Sequence, residues 1–290
     1  MSSNVIFRDY DRAALDAQYN NRAAVPEHVE HLARWQQDSQ LALSELDHEL
    51  DVAYGASSSE TLDVFTANTA KPSAVQVFFH GGYWMSRDKA DFRFLARALV
   101  PAGAACVLVN YALIPTVDMD ELVRQCRAAL LWVQRNASSF GGDPERIFIS
   151  GHSAGGHLVT MMMATDWPAF AGVTGGFIKG ACAISGIYDL TPIPLSYLNE
   201  TLKLGAGEVH RNTPVKLPPH TSNPLLVAYG ALESDEFHRQ SRELTDAWSN
   251  QGVPCQLLEC ANVNHFTILD DFAHRDSALA QAVMAQMELA

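Results

Sequence analysis

From residue 60 onward, short apolar runs alternate with stretches of helical periodicity. Thr61-Leu62-Asp63-Val64-Phe65 alternates as a half-buried strand, and Ala74 to Phe79 reads as a more buried one. Ala105–Val109, Arg146–Ser150, Phe177–Ile184, Pro224–Tyr229 and Pro254–Glu259 supply five further strands. Between them, apolar residues recur at helical spacing: Phe92, Leu95, Ala96 and Leu99; Leu122, Cys126, Leu130 and Val133; Ala154 to Thr165; Phe237, Leu244 and Trp248; and finally Leu279, Val283 and Met287. Strands alternating with helices predict an α/β fold: a mostly parallel central sheet with helices on both faces and its site at the carboxyl ends of the strands.

The first 55 residues read differently. Asp11–Tyr19 is expected to be helical, and Pro26–Leu50 reads as one polar helix with Pro near its first turn. Residues 1–55 are therefore read as an N-terminal helical cap segment on a 56–290 domain, one domain overall. Within it, residues 186–223 are rich in loops and proline and form a candidate lid region. His28, His31 and His48 read as a solvated helix face.

Composition narrows the class. A 48% hydrophobic share over 290 residues supports a large core without staples. Lys+Arg 20 against Asp+Glu 33 gives a net charge of −13, which disfavours nucleic acid and anionic membranes as partners. The charge does not forecast an acidic or basic substrate, because the site reads as apolar and aromatic. Five cysteines without a C-x-x-C pair fit idle thiols in a reducing compartment. Val5-Ile6-Phe7 is too short for a signal-peptide core, and no apolar run approaches a membrane span, so the cytoplasm is the expected location. Oligomeric state stays open, a homo-oligomer included.

Chemistry enters with Gly151-His152-Ser153-Ala154-Gly155, a G-x-S-x-G pattern that chance gives about 0.1 times in such a chain. It follows a strand and precedes a helix, the setting of a nucleophile elbow. The turn would expose Ser153 while the helix behind it aims N–H groups at a developing oxyanion. His80-Gly81-Gly82-Tyr83-Trp84 follows the Ala74–Phe79 strand and reads as an HGG oxyanion loop. The N–H groups of Gly81, Gly82 and Ala154 are assigned to the hole, and His80 to holding the loop. The base should follow the serine. His265, just past the last strand, is the leading candidate and His274 its rival. For the acid, the loop after Tyr229 offers Glu233, Asp235 and Glu236. Asp235 and Glu236 suit the first turn of a helix capped by Ser234, which leaves Glu233 favoured with Asp235 behind it.

These blocks resemble the arylformamidase (kynurenine formamidase) group in the hormone-sensitive-lipase-like branch of the α/β-hydrolase fold. The resemblance also rests on Tyr19-Asn20-Asn21-Arg22 within Leu15–Arg22, Asn110-Tyr111, Gly141–Ile147, Ile187–Leu190, Leu198-Asn199-Glu200, Glu233–Ser241 and His265-Phe266, and spans nearly the whole chain. One departure is that vertebrate members commonly carry Asp where this chain has Glu233. The resemblance implies a serine hydrolase without metal or cofactor that cleaves an N-formyl arylamine through a formyl-enzyme. Ser153 would be the nucleophile, with His265 and Glu233 completing the triad. Tyr19, Tyr83, Trp84 and Phe266 would crowd the small acyl pocket and stack on the aryl group. Two other readings compete: a carboxylesterase on small acyl esters, and a non-catalytic binding protein on a hydrolase scaffold.

Overall fold

Eight strands form one sheet: β1 (His48–Ala53), β2 (Thr61–Phe65), β3 (Ser73–Phe79), β4 (Ala104–Val109), β5 (Gly142–His152), β6 (Ile178–Ile184), β7 (Leu225–Gly230) and β8 (Cys255–Cys260). They are seen in a computed structural model, which describes residues 4–289. The spatial order is β1-β2-β4-β3-β5-β6-β7-β8. β1 and β2 pair antiparallel, as do β2 and β4, and every other pair is parallel. This is the α/β-hydrolase fold. Strands β3 and β4 are buried along their whole length, as expected where helices cover both faces of a parallel sheet.

Side chains alternate between the two faces and build two cores. Val75, Val77 and Phe79 of β3 join Val107 and Val109 of β4 on one face, under Leu122, Leu158, Leu244 and Trp248 from three long helices. Ala74 and Phe78 join Cys106 and Leu108 on the other, under Trp35, Phe92, Leu99, Phe272 and Val283. A one-residue slip of either strand would exchange these sets.

The N-terminal segment departs from expectation. The helix expected over Pro26–Leu50 runs only from His28 to Glu45, and Leu46 turns extended. His48–Ala53 then forms β1, so the first strand of the sheet lies inside the segment read as helical. Its edge position explains the misreading: most of its side chains are exposed, so it carries no apolar alternation. The 186–223 stretch contains four short helical turns, between Ile193 and Lys216. Among the described residues, no helix is long and apolar enough to cross a membrane.

The order of the strands positions the site. From β3 the chain crosses to β4 on one side, while β5 lies on the other. The carboxyl ends of β3 and β5 therefore flank a crevice, the usual place for a ligand in an open parallel sheet. β3 ends at Phe79, directly before His80-Gly81-Gly82, and β5 ends at His152, directly before Ser153.

Candidate active site

Ser153 occupies a sharp turn, with φ 58° and ψ −118°. A non-glycine residue in this region is strained and persists only where its surroundings hold it. Here the Ser153 N–H donates to Ile184 O on β6 at 2.8 Å, and the helix Ala154–Met163 starts at the next residue. Close approach of helix and sheet makes Gly155 obligatory. A Cβ on it would lie 1.9 Å from Phe79 O at the end of β3.

The loop after β3 is equally constrained. Gly82 has φ 114°, and Tyr83, Trp84 and Arg87 also have positive φ. A Cβ on Gly81 would come within 3.0 Å of Ser153 Cβ, so the loop lies directly against the serine. His80 anchors it from below, stacked 4.3 Å from the Tyr111 ring and facing Gly81 O and Asn110 Oδ1 with its two nitrogens. Burial holds its pKa below the usual imidazole value. Tyr111 donates its hydroxyl to His80 O at 2.6 Å.

Beyond β7, Glu233 turns its carboxylate inward, with no side-chain exposure. Oε1 lies 2.5 Å from His265 Nδ1. Oε2 accepts from Ser185 Oγ and from the Gly230 N–H, each at 2.8 Å. A carboxylate held by three donors fixes the imidazole's orientation and leaves its Nε2 as the basic nitrogen. Asp235, the rival acid, is exposed in the first turn of the next helix, Asp235–Ser249. Glu236 is buried but accepts from Tyr19 and Arg239 instead. Ser234 does not cap that helix with its own hydroxyl, which donates to Gln18 O; Gln18 Oε1 takes the Glu236 N–H in its place.

The His265 loop is pinned by its neighbours. Asn264 Oδ1 accepts the N–H groups of Phe266 and Thr267, and Thr267 Oγ1 takes that of Asn264. His152 adds a contact that motif reading missed: its Nε2–H donates to His265 O at 2.8 Å, and the two rings lie 4.6 Å apart. Burial, reinforced by His265, keeps the His152 pKa well below the ordinary value, so its ring is a neutral donor. His274, the rival base, is exposed at the end of the helix Thr267–Ala273.

Ser153, His265, Gly81 and Gly82 open onto one cavity of about 510 Å³. Tyr83 and Phe266 line it as well. The other two expected pocket aromatics do not. Tyr19 is buried against the helix Asp235–Ser249, donating to Glu236 Oε2 at 2.8 Å and accepting from Gln240. Only the residues after it, Asn20 to Arg22, reach the cavity. Trp84 lies fully buried behind the loop and donates to His157 Nδ1 at 3.1 Å, while the other ring nitrogen of His157 donates to Asn212 O. Burial pulls the His157 pKa down to about 4. Trp84 thus braces the helix behind Ser153. The wall is also less apolar than expected, because Arg22 and Arg87 line it. Neither carries a motif; the resemblance block Tyr19–Arg22 was the only available signal, and only for Arg22.

A family model described as BD-FAE matches residues 62–193. The kynurenine formamidase of Danio rerio is 34% identical over 241 residues, covering 81% of this chain and 80% of that one. Its counterpart from Salmo salar is 36% identical, covering 82% and 81%. Among solved structures, a candidate thioesterase from Silicibacter sp. TM1040 superposes with a TM-score of 0.82 at 28% identity, over 93% of this chain and 98% of that one. With a third of its positions identical across four-fifths of both fish proteins, the chain belongs to the kynurenine formamidase family of α/β-hydrolases.

Proposed function

We propose that this hydrolase cleaves the N-formyl amide of an arylamine to formate and the free amine, with Ser153 as nucleophile, His265 as general base and acid, and Glu233 as the orienting carboxylate. The observation that carries this reading is His265, held by the buried Glu233, opening onto the same cavity as Ser153 and the Gly81-Gly82 loop. Kinship with kynurenine formamidases supports the choice of the formyl amide.

In this mechanism Ser153 Oγ attacks the formyl carbon while His265 Nε2 takes its proton. The developing oxyanion is held by the N–H groups of Gly81, Gly82 and Ala154, the last at a helix start where such donors lack intrahelical partners. His265 then protonates the leaving amine. It next takes a proton from water, which attacks the formyl ester; formate leaves and the proton returns to Ser153. Residues 20–35 and the 186–223 segment act as the roof over this chemistry, a role supported by Trp35, Tyr197 and Thr201 at the cavity wall. Five unpaired thiols, four of them buried, support a reducing compartment such as the cytoplasm.

The test compares formate release from an N-formyl arylamine with hydrolysis of a p-nitrophenyl ester of a short acid. The formamide is expected to have the higher kcat/KM. An ester preference of orders of magnitude replaces this reading with that of a carboxylesterase.

A further inference from the structure

Strand β6 ends at Ile184, and Ile184 and Ser185 touch different members of the triad. The Ile184 carbonyl accepts the Ser153 N–H at 2.8 Å and so holds the nucleophile turn. Ser185 is fully buried and has φ 49°, a region that strains the backbone of a non-glycine residue. Its N–H donates to Ala228 O on β7 at 2.7 Å, and its hydroxyl donates to Glu233 Oε2 at 2.8 Å. Packing fixes the two residues further. A Cβ on Gly156, in the helix behind Ser153, would lie 3.0 Å from Ile184 O and 2.9 Å from Gly186 Cα. Beyond Gly186, Tyr188 and Asp189 give their N–H groups to the buried Gln240 Oε1 at 2.6 and 2.8 Å.

The donors to Glu233 differ in what they tie together. The Gly230 N–H lies only three residues before Glu233, at the foot of the same loop. Ser185 Oγ comes from 48 residues away. Among the described residues, it is the one donor to this carboxylate from outside the acid's own loop and the His265 ring. One dipeptide thus anchors the nucleophile turn through a carbonyl and the acid through a hydroxyl. The Glu233 side chain has no exposure, so solvent does not replace a lost donor.

We propose that Ser185 is a positioning residue. It sets the place of the Glu233–His265 pair relative to Ser153, and through it the rate of the chemical step, without touching substrate. Misplacement of reacting groups by about 1 Å costs about 10²-fold in rate. The inference rests on the triad reading above, and the test separates the two.

Ser185→Ala, Ser185→Gly, Glu233→Ala and the double variant Ser185→Ala with Glu233→Ala are compared by kcat and KM. The substrates are formanilide and p-nitrophenyl acetate, and urea midpoints report stability. Ser185→Ala is expected to lower kcat about tenfold or more, with KM changed less than about twofold. Ser185→Gly should lose as much kcat, although glycine accepts a positive φ freely and its urea midpoint should be no lower than that of Ser185→Ala. Glu233→Ala alone should lower kcat about 10²-fold or more. In that background Ser185→Ala should cost less than about twofold, because the carboxylate it acts on is gone. An unchanged kcat in Ser185→Ala, an equal loss in both backgrounds, or a kcat that follows the urea midpoint across the Ala and Gly variants overturns the proposal and leaves the triad standing. A loss of less than about threefold in Glu233→Ala removes Glu233 from the triad, and the role of Ser185 with it. If only the ester turns over, the formamide reading fails, and the ester kcat values still decide Ser185.

Discussion

The cavity has a floor and a roof, built in opposite ways. The floor is Gly81-Gly82, Ser153 and His265, all on loops that leave the carboxyl ends of β3, β5 and β8. Its backbone is locked throughout: Ser153 N–H donates to Ile184 O, Gly155 packs against Phe79 O, and His265 O accepts from the buried His152 ring. The roof is Asn20–Arg22 with Tyr197 and Thr201, from segments some 175 residues apart. Side chains hold it: the hydroxyls of Tyr83 and Tyr197 both donate to Tyr19 O, and the Tyr197 N–H donates to Asp16. A preorganised floor suits bond breaking, which demands fixed donors around a developing charge. A side-chain roof suits discrimination between leaving groups, which needs replaceable contacts.

The largest effect should come from the floor. Ser153→Ala is expected to lower kcat by about 10⁴-fold or more with little change in KM. Steady-state kinetics with formate detection would show it, and activity retained within tenfold would remove Ser153 from the mechanism.

Next is the acid. Glu233→Gln keeps the size of the side chain but loses its charge opposite His265 Nδ1, and a loss of about 10²–10⁴ in kcat is expected. Asp235→Asn, in the exposed first turn of its helix, should cost less than about threefold. Reversed losses would move the acid to Asp235 and break the link between His265 and the floor.

This choice also shows how far a sequence reads. G-x-S-x-G and the double glycine are legible because a tight turn and a close approach demand particular residues at fixed spacing. The acid is ambiguous in one dimension, since three carboxylates share four positions. It separates only once the helix begins at Asp235, which turns that side chain outward while Glu233 remains in the loop. Seven strands were legible from apolar runs, whereas β1 was not, because it is a polar edge. Ser185, which holds Glu233 Oε2, is a lone serine with no pattern around it. Arg22 and Arg87 become neighbours only in the folded chain, 65 residues apart in sequence.

Acid should attack the floor before the roof. His80, His152 and His157 all lie in or beneath the floor, and burial depresses all three. A depressed histidine is neutral when folded and takes up its proton on unfolding, so its stabilising contribution is full above the unfolded value near 6.5. The contribution is lost as pH falls from there toward the folded value, which for His157 is about 4. Between pH 7 and pH 5, His157 alone should cost about 2 kcal/mol of stability. Urea midpoints at the two pH values would measure it. His157→Gln should weaken the protein at pH 7 by unpairing Trp84 Nε1, and should also flatten the pH dependence by about that amount. An unchanged slope in the variant would mean that this imidazole is not the acid-sensitive group.

The smallest effect should come from the roof. Tyr83 lines the cavity with its ring, while its hydroxyl donates to Tyr19 O at 2.5 Å and accepts from Asn21 Nδ2 at 3.2 Å. Tyr83→Phe keeps the ring and removes only this tie between the oxyanion loop and the N-terminal segment. The two hydrogen bonds lost, to Tyr19 O and from Asn21 Nδ2, correspond to about 1–2 kcal/mol of stability. The loosened roof should raise KM several-fold while kcat moves less, because the donors to the oxyanion are backbone groups that the hydroxyl does not touch. A fall in kcat larger than the rise in KM would show that the roof positions the reacting atoms, and the division of labour between the two regions would fail.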